Sequence, residues 1–449
     1  MTSRSESARI RQLLQGLTED EILELMRMIS PKFAPADAET RKKAVLPDPN
    51  EKKSTKRYEN LKAAERRYFA EAYNESSELW KPLTIEDESD WLNNHPESGQ
   101  TFGEWFTKEF PQHRVNRQRR TIYILPLGPF PPGHAGQSTA AAGATAGAST
   151  STGETEGGAS SSARGATGGA AGGAEGGASP SSRTDKVLLA WLQKFCQCFF
   201  LGVDVKFLDP VRVREVRCRT RINEHTKQWQ LLSKDILDYL VSKKPRDAIC
   251  LVAVTMLDLY PSDSWNFVFG QASLVTGCGV FSFARYDENF YYIPRDRKKA
   301  KKSELEEFNM PPVTSVLLLR ACKVMTHELC HMFGMKHCIY FSCCINGSNS
   351  RDESDRRPVD LCPVCLRKLQ EAVDFRLAVR FRAMLQYCTK ESWDSGVPAP
   401  PLEAFEPFKK WLEKVLVFLE ETPAAGNETP AAGNETPAAG NEESSQASN

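Results

Sequence analysis

Residues 327–337 read His-Glu-Leu-Cys-His-Met-Phe-Gly-Met-Lys-His, an H-E-x-x-H-x-x-G-x-x-H string whose spacing suits one metal ion. Histidines four apart share a helix face, so His327 and His331 can reach a single Zn²⁺. Glu328 follows the first of them, where a carboxylate can take a proton from a water held by the metal. Gly334 can adopt the left-handed conformation that ends a helix, after which the turning chain presents His337 as a third ligand. Three protein ligands leave one tetrahedral position open for water or substrate, as hydrolytic catalysis requires. These histidines are three of the seven in the chain, and their register with the glutamate and glycine argues against chance placement on a polar surface.

A second set of ligand-type residues follows at once. Cys338, Cys343, Cys362 and Cys365 form C-x4-C and, after an 18-residue interval, C-x2-C. Four thiolates in two short-spaced pairs suit a closed tetrahedral zinc site; two disulfides or free core cysteines are the competing readings. His337 and Cys338 are adjacent and point in different directions, so the seven ligands divide into three plus four. The expectation is two Zn²⁺ per chain, one catalytic and one structural, the closed site pinning the backbone beside His337. Cys330 and Cys344 lie near the metals but outside the ligand pattern and read as small buried hydrophobes.

The H-E-x-x-H-x-x-G-x-x-H-C-x4-C string with its later C-x2-C resembles the archaemetzincins, metzincin-type metallopeptidases. The likeness extends to 258–273, 279–286 and 356–365, covers roughly 60–125 and 185–420, and is most specific at 327–365. It implies a zincin-like α/β (α+β) domain: a mixed twisted sheet, an active-site helix and a C-terminal lobe holding the four-cysteine site. By motif position the zinc histidines fall on His327, His331 and His337, the proton acceptor on Glu328, and the second-site ligands on Cys338, Cys343, Cys362 and Cys365. The family commonly has methionine two residues after the second cysteine of the C-x4-C pair; this chain has Ile345, which keeps the apolarity but is stiffer. The resemblance also implies a peptide lying along an edge strand, for which Phe269–Ser273 is the nominated segment, and it suggests an aminopeptidase. Tyr340 and His225 are weak candidates for an oxyanion partner.

These groups need elements to position them. Leu318, Cys322, Met325, Leu329 and Met332 form the apolar stripe of a helix expected over 313–334. His327 and His331 fall nearly opposite that stripe, so they can face a cleft while the helix packs on the core. Upstream, a helical extension is expected at 8–30, with Thr18 and Glu21 as a capping box, and a linker to residue 56. A helix at 57–73 and a Trp-rich segment at 80–110 follow, with Trp80, Trp91 and Trp105 as core anchors. Strands are expected at 121–127, 203–208, 214–221, 248–257, 267–272 and 280–284. Helices are expected at 186–201, 231–243, 363–388 and 402–420. Residues 133–184, rich in Ala, Gly, Ser and Thr, and the thrice-repeated Glu-Thr-Pro-Ala-Ala-Gly-Asn of the 421–449 tail cannot bury enough apolar surface to offset their ordering entropy. The metallopeptidase domain is thus expected in two parts, 57–132 and 185–420, around a disordered insert.

Composition narrows the partners. Lys plus Arg and Asp plus Glu are equal at 58 each, so no global field draws in nucleic acid or a membrane surface. The basic run at 295–302 reads as a solvated loop before it reads as a nuclear-localisation signal. The apolar stretch Ala248 to Leu257 is too short for a membrane span, and no secretory leader is evident. With 13 cysteines, this predicts a reducing cytoplasm or nucleus. Three function classes follow: a zinc metallopeptidase acting on peptide or protein, a catalytically weak zinc-binding interaction protein, and a zinc hydrolase of other amides. The intact Glu328 and histidine trio favour the first. Oligomeric state has no signature in the sequence.

Overall fold

The computed structural model describes residues 33–130, 181–291, 313–393 and 397–420, together with Thr18. The expected helix at 8–30, the insert up to residue 180, the basic run and the tail lie outside the described residues. In chain order the first helices are α1 (Ala38–Val45), α2 (Lys52–Glu59), α3 (Ala63–Ala70), α4 (Trp91–Asn94), α5 (Phe102–Lys108), α6 (Phe110–His113) and α7 (Ser181–Phe199). They are followed by α8 (Val213–Val216), α9 (Ser233–Lys243), α10 (Ser315–His331), α11 (Arg351–Arg356), α12 (Pro363–Val373), α13 (Leu377–Tyr387) and α14 (Glu406–Glu420). The strands are β1 (Thr121–Leu127), β2 (Asp204–Phe207), β3 (Thr220–Ile222), β4 (Trp229–Leu232), β5 (Ala248–Thr255), β6 (Asp258–Tyr260), β7 (Gly270–Ser273) and β8 (Cys278–Ser282).

β5 is apolar on both faces and buried at every residue, which suits it to the centre of a sheet covered on both sides. The five-stranded sheet has the order β2-β1-β5-β8-β7. Its first four strands run parallel, and β7 pairs antiparallel with β8 at the edge. Alternation along the strands sends Ile122, Ile124, Cys250, Val252, Val254 and Phe281 into one core, with the buried stripe of α10. Leu125, Leu127, Leu251, Ala253 and Val280 enter a second core, which α9 covers through Ile236 and Leu240. A smaller mixed sheet, β3-β4-β6, adjoins it. The fold is therefore mixed α/β, with helices on both faces of a mixed sheet.

The N-terminal helices share the larger core: Val45, Phe69, Phe102, Trp105 and Phe110 pack there with residues of α7, α10, α12, α13 and α14. Within it Arg380, fully buried, donates two hydrogen bonds of 2.7 Å to Asp360 and a third to the Phe199 carbonyl. The Asp360 carbonyl in turn accepts from Cys344 N–H at 3.0 Å, tying the cysteine-rich segment to α7 and α13.

Several boundaries differ from expectation. The strand expected at 214–221 is the short helix α8, then Arg217 with φ 57°, then β3. Residues 229–232 are a strand before α9 begins at Ser233, because Leu231 pairs in register with Leu259. The single helix expected at 363–388 is broken by Asp374 at φ 69° into α12 and α13, and that at 57–73 breaks between α2 and α3. In each case a local turn overrides a continuous apolar period. α7 also starts earlier, at Ser181, than the end of the expected insert.

Breaking a buried ion pair leaves an uncompensated charge, so Asp360→Ala should lower stability by about 3–5 kcal/mol. Urea unfolding checks this; an unshifted midpoint would remove Asp360–Arg380 as a structural tie.

Candidate metal centres and catalytic cleft

The active-site helix starts where Thr314 caps α10, its hydroxyl accepting from Leu317 N–H at 3.1 Å. Leu318, Cys322, Met325 and Leu329 are buried in the core, and His327, Glu328 and His331 are half-buried on the opposite side, as the wheel requires. The Nε2 atoms of His327 and His331 lie 3.1 Å apart. His337 joins them from beyond the helix, and one nitrogen from each of the three rings falls within 4.8 Å of the others.

Each Nδ1 faces an oxygen. That of His327 meets the Cys344 carbonyl at 3.0 Å, that of His331 the Met335 carbonyl at 2.6 Å, and that of His337 Oε1 of Glu97 at 2.8 Å. These partners assign the protons to Nδ1 and leave the Nε2 lone pairs free, three imidazole donors gathered as a divalent cation of the zinc type requires. Burial pushes His327 down to about 3 and His331 down to about 4, reinforced by the neighbouring imidazoles, so both rings are neutral and available near pH 7. Burial pushes Glu328 above the usual carboxylate range, which raises its proton affinity toward that of a working base. A Cβ on Gly270 of β7 would sit 3.0 Å from Phe281 Cβ and 3.1 Å from the Val280 carbonyl, so glycine keeps β7 close on β8, with the Glu328 carboxyl carbon in van der Waals reach at 3.4 Å.

The turn that delivers His337 is fastened carbonyl by carbonyl. Gly334 has φ 76° and ends the helix, and a Cβ there would come within 2.7 Å of Glu109 Cβ. The Met332 carbonyl meets His113 Nδ1 at 3.0 Å; the Phe333 carbonyl accepts from Trp105 Nε1–H at 2.8 Å; the Gly334 carbonyl accepts from the Gln100 amide at 3.0 Å. Gln100 also accepts from Lys336 N–H and is held by buried Lys368. The groups a helix end leaves orphaned are thus satisfied from the 100–113 segment. Sequence reasoning missed this role. Its one visible trace is a histidine, a glutamine and a tryptophan within an otherwise core-like aromatic stretch.

The second cluster sits directly behind. Cys338, Cys343, Cys362 and Cys365 are buried with their sulfurs within 4.8 Å of one another, and all are free thiols. Asn346 binds the loop internally, accepting from Cys343 N–H at 2.7 Å and donating to the carbonyls of Cys338 and Phe341. Cys362 precedes α12, whose first residue is Pro363. Burial opposes ionisation of Cys338, but thiol hydrogen bonds from its three neighbours outweigh it and hold that group well below the usual thiol range. Burial pushes Cys343 and Cys362 well above it. Four sulfurs so gathered without a disulfide are a donor set for one closed tetrahedral ion.

A cavity of about 200 Å³ opens beside the histidines, lined by Trp91, Phe269, Gly270, Tyr286, His327, Glu328 and His337, among others. Neither Tyr340 nor His225 lines it. Tyr340 packs its hydroxyl against Gly99, and His225 sits in the β3–β4 turn. Tyr286, not singled out from sequence, is there instead, its ring 5.0 Å from Phe269 and its hydroxyl held protonated by burial and by Glu328. Trp105 is the core anchor expected and Trp80 is half-buried, but Trp91 is a cleft wall standing edge-on to His337 at 5.4 Å. Cys330 is fully buried, as expected. Burial pushes Cys344 up to about 11, and it serves the site through its carbonyl. Ile345 is fully buried, with its carbonyl accepting from Cys338 N–H at 3.0 Å.

Comparison with known proteins agrees with this geometry. Residues 206–371, which contain both clusters, match the description Peptidase family M54. Archaemetzincin-2 of Macaca fascicularis is 38% identical over 386 residues, spanning 81% of this chain and 93% of that protein. Archaemetzincin-2 of Homo sapiens is 37% identical over 384 residues, with the same coverage of 81% and 93%. Archaemetzincin-1 of Homo sapiens is 30% identical over 363 residues, 77% of this chain and 60% of that one. At such identity along nearly the whole length of the first two, the chain belongs to the archaemetzincins and is a zinc metallopeptidase of that family.

Proposed function

We propose that His327, His331 and His337 hold a catalytic zinc ion, that Cys338, Cys343, Cys362 and Cys365 hold a structural one, and that Glu328 is the general base of peptide-bond hydrolysis. The observation that carries this reading is the convergence of three imidazoles, one nitrogen of each within 4.8 Å of the others and each ring oriented through Nδ1, with Glu328 one residue from the first of them. Bound there, zinc supplies Lewis acidity that makes a water more acidic and a peptide carbonyl more electrophilic.

The chain's own residues do the rest. Glu328, with its raised proton affinity, accepts the proton of the attacking water and returns it to the departing amine. Phe269 and Gly270 line the cleft where β7 forms the edge of the sheet, so β7 is the proposed docking edge for an extended peptide. Tyr286 and Trp91 wall the cleft, and Tyr286 takes the place of Tyr340 and His225 as the proposed oxyanion partner. The expected site at Phe269–Ser273 is retained in this proposal. Removal of amino-terminal residues is the mode suggested by the family resemblance. All 13 cysteines are free, which fits a reducing cytoplasm or nucleus, and no helix among the described residues is long and apolar enough to cross a membrane.

Three outcomes are expected. On a peptide library, Glu328→Gln should lose about 10²–10⁴-fold in kcat/KM while keeping its zinc; turnover equal to wild type would rule out the glutamate chemistry. Elemental analysis of the pure protein should give two zinc equivalents per chain, and the Cys362→Ser, Cys365→Ser double variant should retain about one or fail to fold. Two equivalents in a folded double variant would remove the second site. Peptides with free amino termini should be trimmed and their acetylated counterparts spared; equal cleavage of both would overturn the aminopeptidase mode.

A further inference from the structure

The three histidines are not oriented in the same way. His327 and His331 present Nδ1 to backbone carbonyls close to the metal-binding segment, at Cys344 and Met335. His337 presents it to a side-chain carboxylate 240 positions earlier in the chain. The same oxygen, Oε1 of Glu97, also accepts from Trp91 Nε1–H at 2.7 Å. Trp91 is itself fixed. Its backbone N–H donates to both oxygens of Glu353 at 3.0 and 3.1 Å, and its ring lies 4.1 Å from that of His95. It also packs on Gly347, where an added Cβ would fall 2.4 Å from the indole.

We infer that Glu97 is a positioning residue for the catalytic centre: it sets the tautomer and ring plane of His337, and its charge strengthens that ring as a metal donor. Trp91 holds the carboxylate in place from the cleft wall. The inference rests on the reading of the three histidines as a metal centre. A carboxylate on Nδ1–H draws the proton toward itself and leaves Nε2 more electron-rich, an effect that a neutral carbonyl produces more weakly. Electrostatic balance points the same way. Three neutral imidazoles and a dication carry two positive charges, and Glu328 and Glu97 are the two carboxylates placed against them. His337 also needs such a partner most, because it lies outside α10, the helix that carries the other two rings.

The test uses the full chain with Glu97→Gln, Glu97→Ala and Trp91→Phe, and reads metal binding as well as activity. Zinc is titrated against a competing chelator. In cobalt(II)-substituted protein, the ligand-field bands of the histidine centre are followed beside the thiolate charge-transfer bands of the cysteine centre. Glu97→Ala should weaken zinc at the histidine centre by about 10–100-fold and shift its ligand-field bands, leaving the thiolate bands unchanged. Glu97→Gln, which can still accept the hydrogen bond without the charge, should fall between wild type and Ala, and Trp91→Phe should shift the same bands less. Unchanged affinity and spectrum in a folded Glu97→Ala protein would overturn the inference. So would equal loss at both centres, or a Gln variant no better than Ala. Absence of metal from the histidine centre in the wild type would instead overturn the metal-centre reading beneath it.

Discussion

The structure depends on getting His337 to the place where His327 and His331 already point. A helix delivers two imidazoles to one spot without assistance, since residues four apart share a face. The third histidine comes after the helix has ended, on a turn where the carbonyls of Met332, Phe333 and Gly334 have no partners in α10. Each of those carbonyls left buried and unpaired would cost about 1–3 kcal/mol. His113, Trp105 and Gln100 take up three consecutive ones, at Met332, Phe333 and Gly334. The turn passes through Gly334 in the left-handed conformation that glycine adopts without strain, in a space where a Cβ would collide with Glu109.

The same turn is gripped from the other side. Cys338 follows His337 directly, so whatever fixes the four thiols fixes the backbone that carries the ligand. Asn346 closes the loop on itself, and the Cys344–Asp360–Arg380 connection carries the constraint into the deep core at Phe199. The closed cluster and the aromatic segment therefore do related work from opposite directions: one holds the far end of the turn, the other its carbonyls. Seven residues form the two candidate clusters, and their geometry is maintained by partners drawn from segments before and after them.

Much of this was legible in advance, for physical reasons that can be named. The spacing of His327, Glu328, His331, Gly334 and His337 encodes geometry directly, because a helix converts a four-residue interval into proximity. The two cysteine pairs do the same through short loops. β5 was readable because a strand buried on both faces has no choice but to be apolar throughout. What could not be read was non-local. Nothing in the spacing of Glu97, Gln100, Trp105 and His113 says that their partners lie beyond residue 330. Trp91 looked like an ordinary core aromatic until the fold placed it against His337. Breaks such as Asp374 and Arg217 escaped because non-glycine residues seldom adopt positive φ, and the apolar period runs through them.

The sequence distance between the fasteners and the turn they hold has a consequence for how the molecule comes into being. Gln100 and Gly334 are 234 positions apart, so their pairing closes a long loop and carries the entropic cost of bringing remote segments together. During synthesis the 100–113 segment emerges well before the carbonyls at 332–334 that it holds. A chain cut down to the 206–371 stretch would carry all seven clustered histidines and cysteines yet lack the residues that fasten the turn before His337.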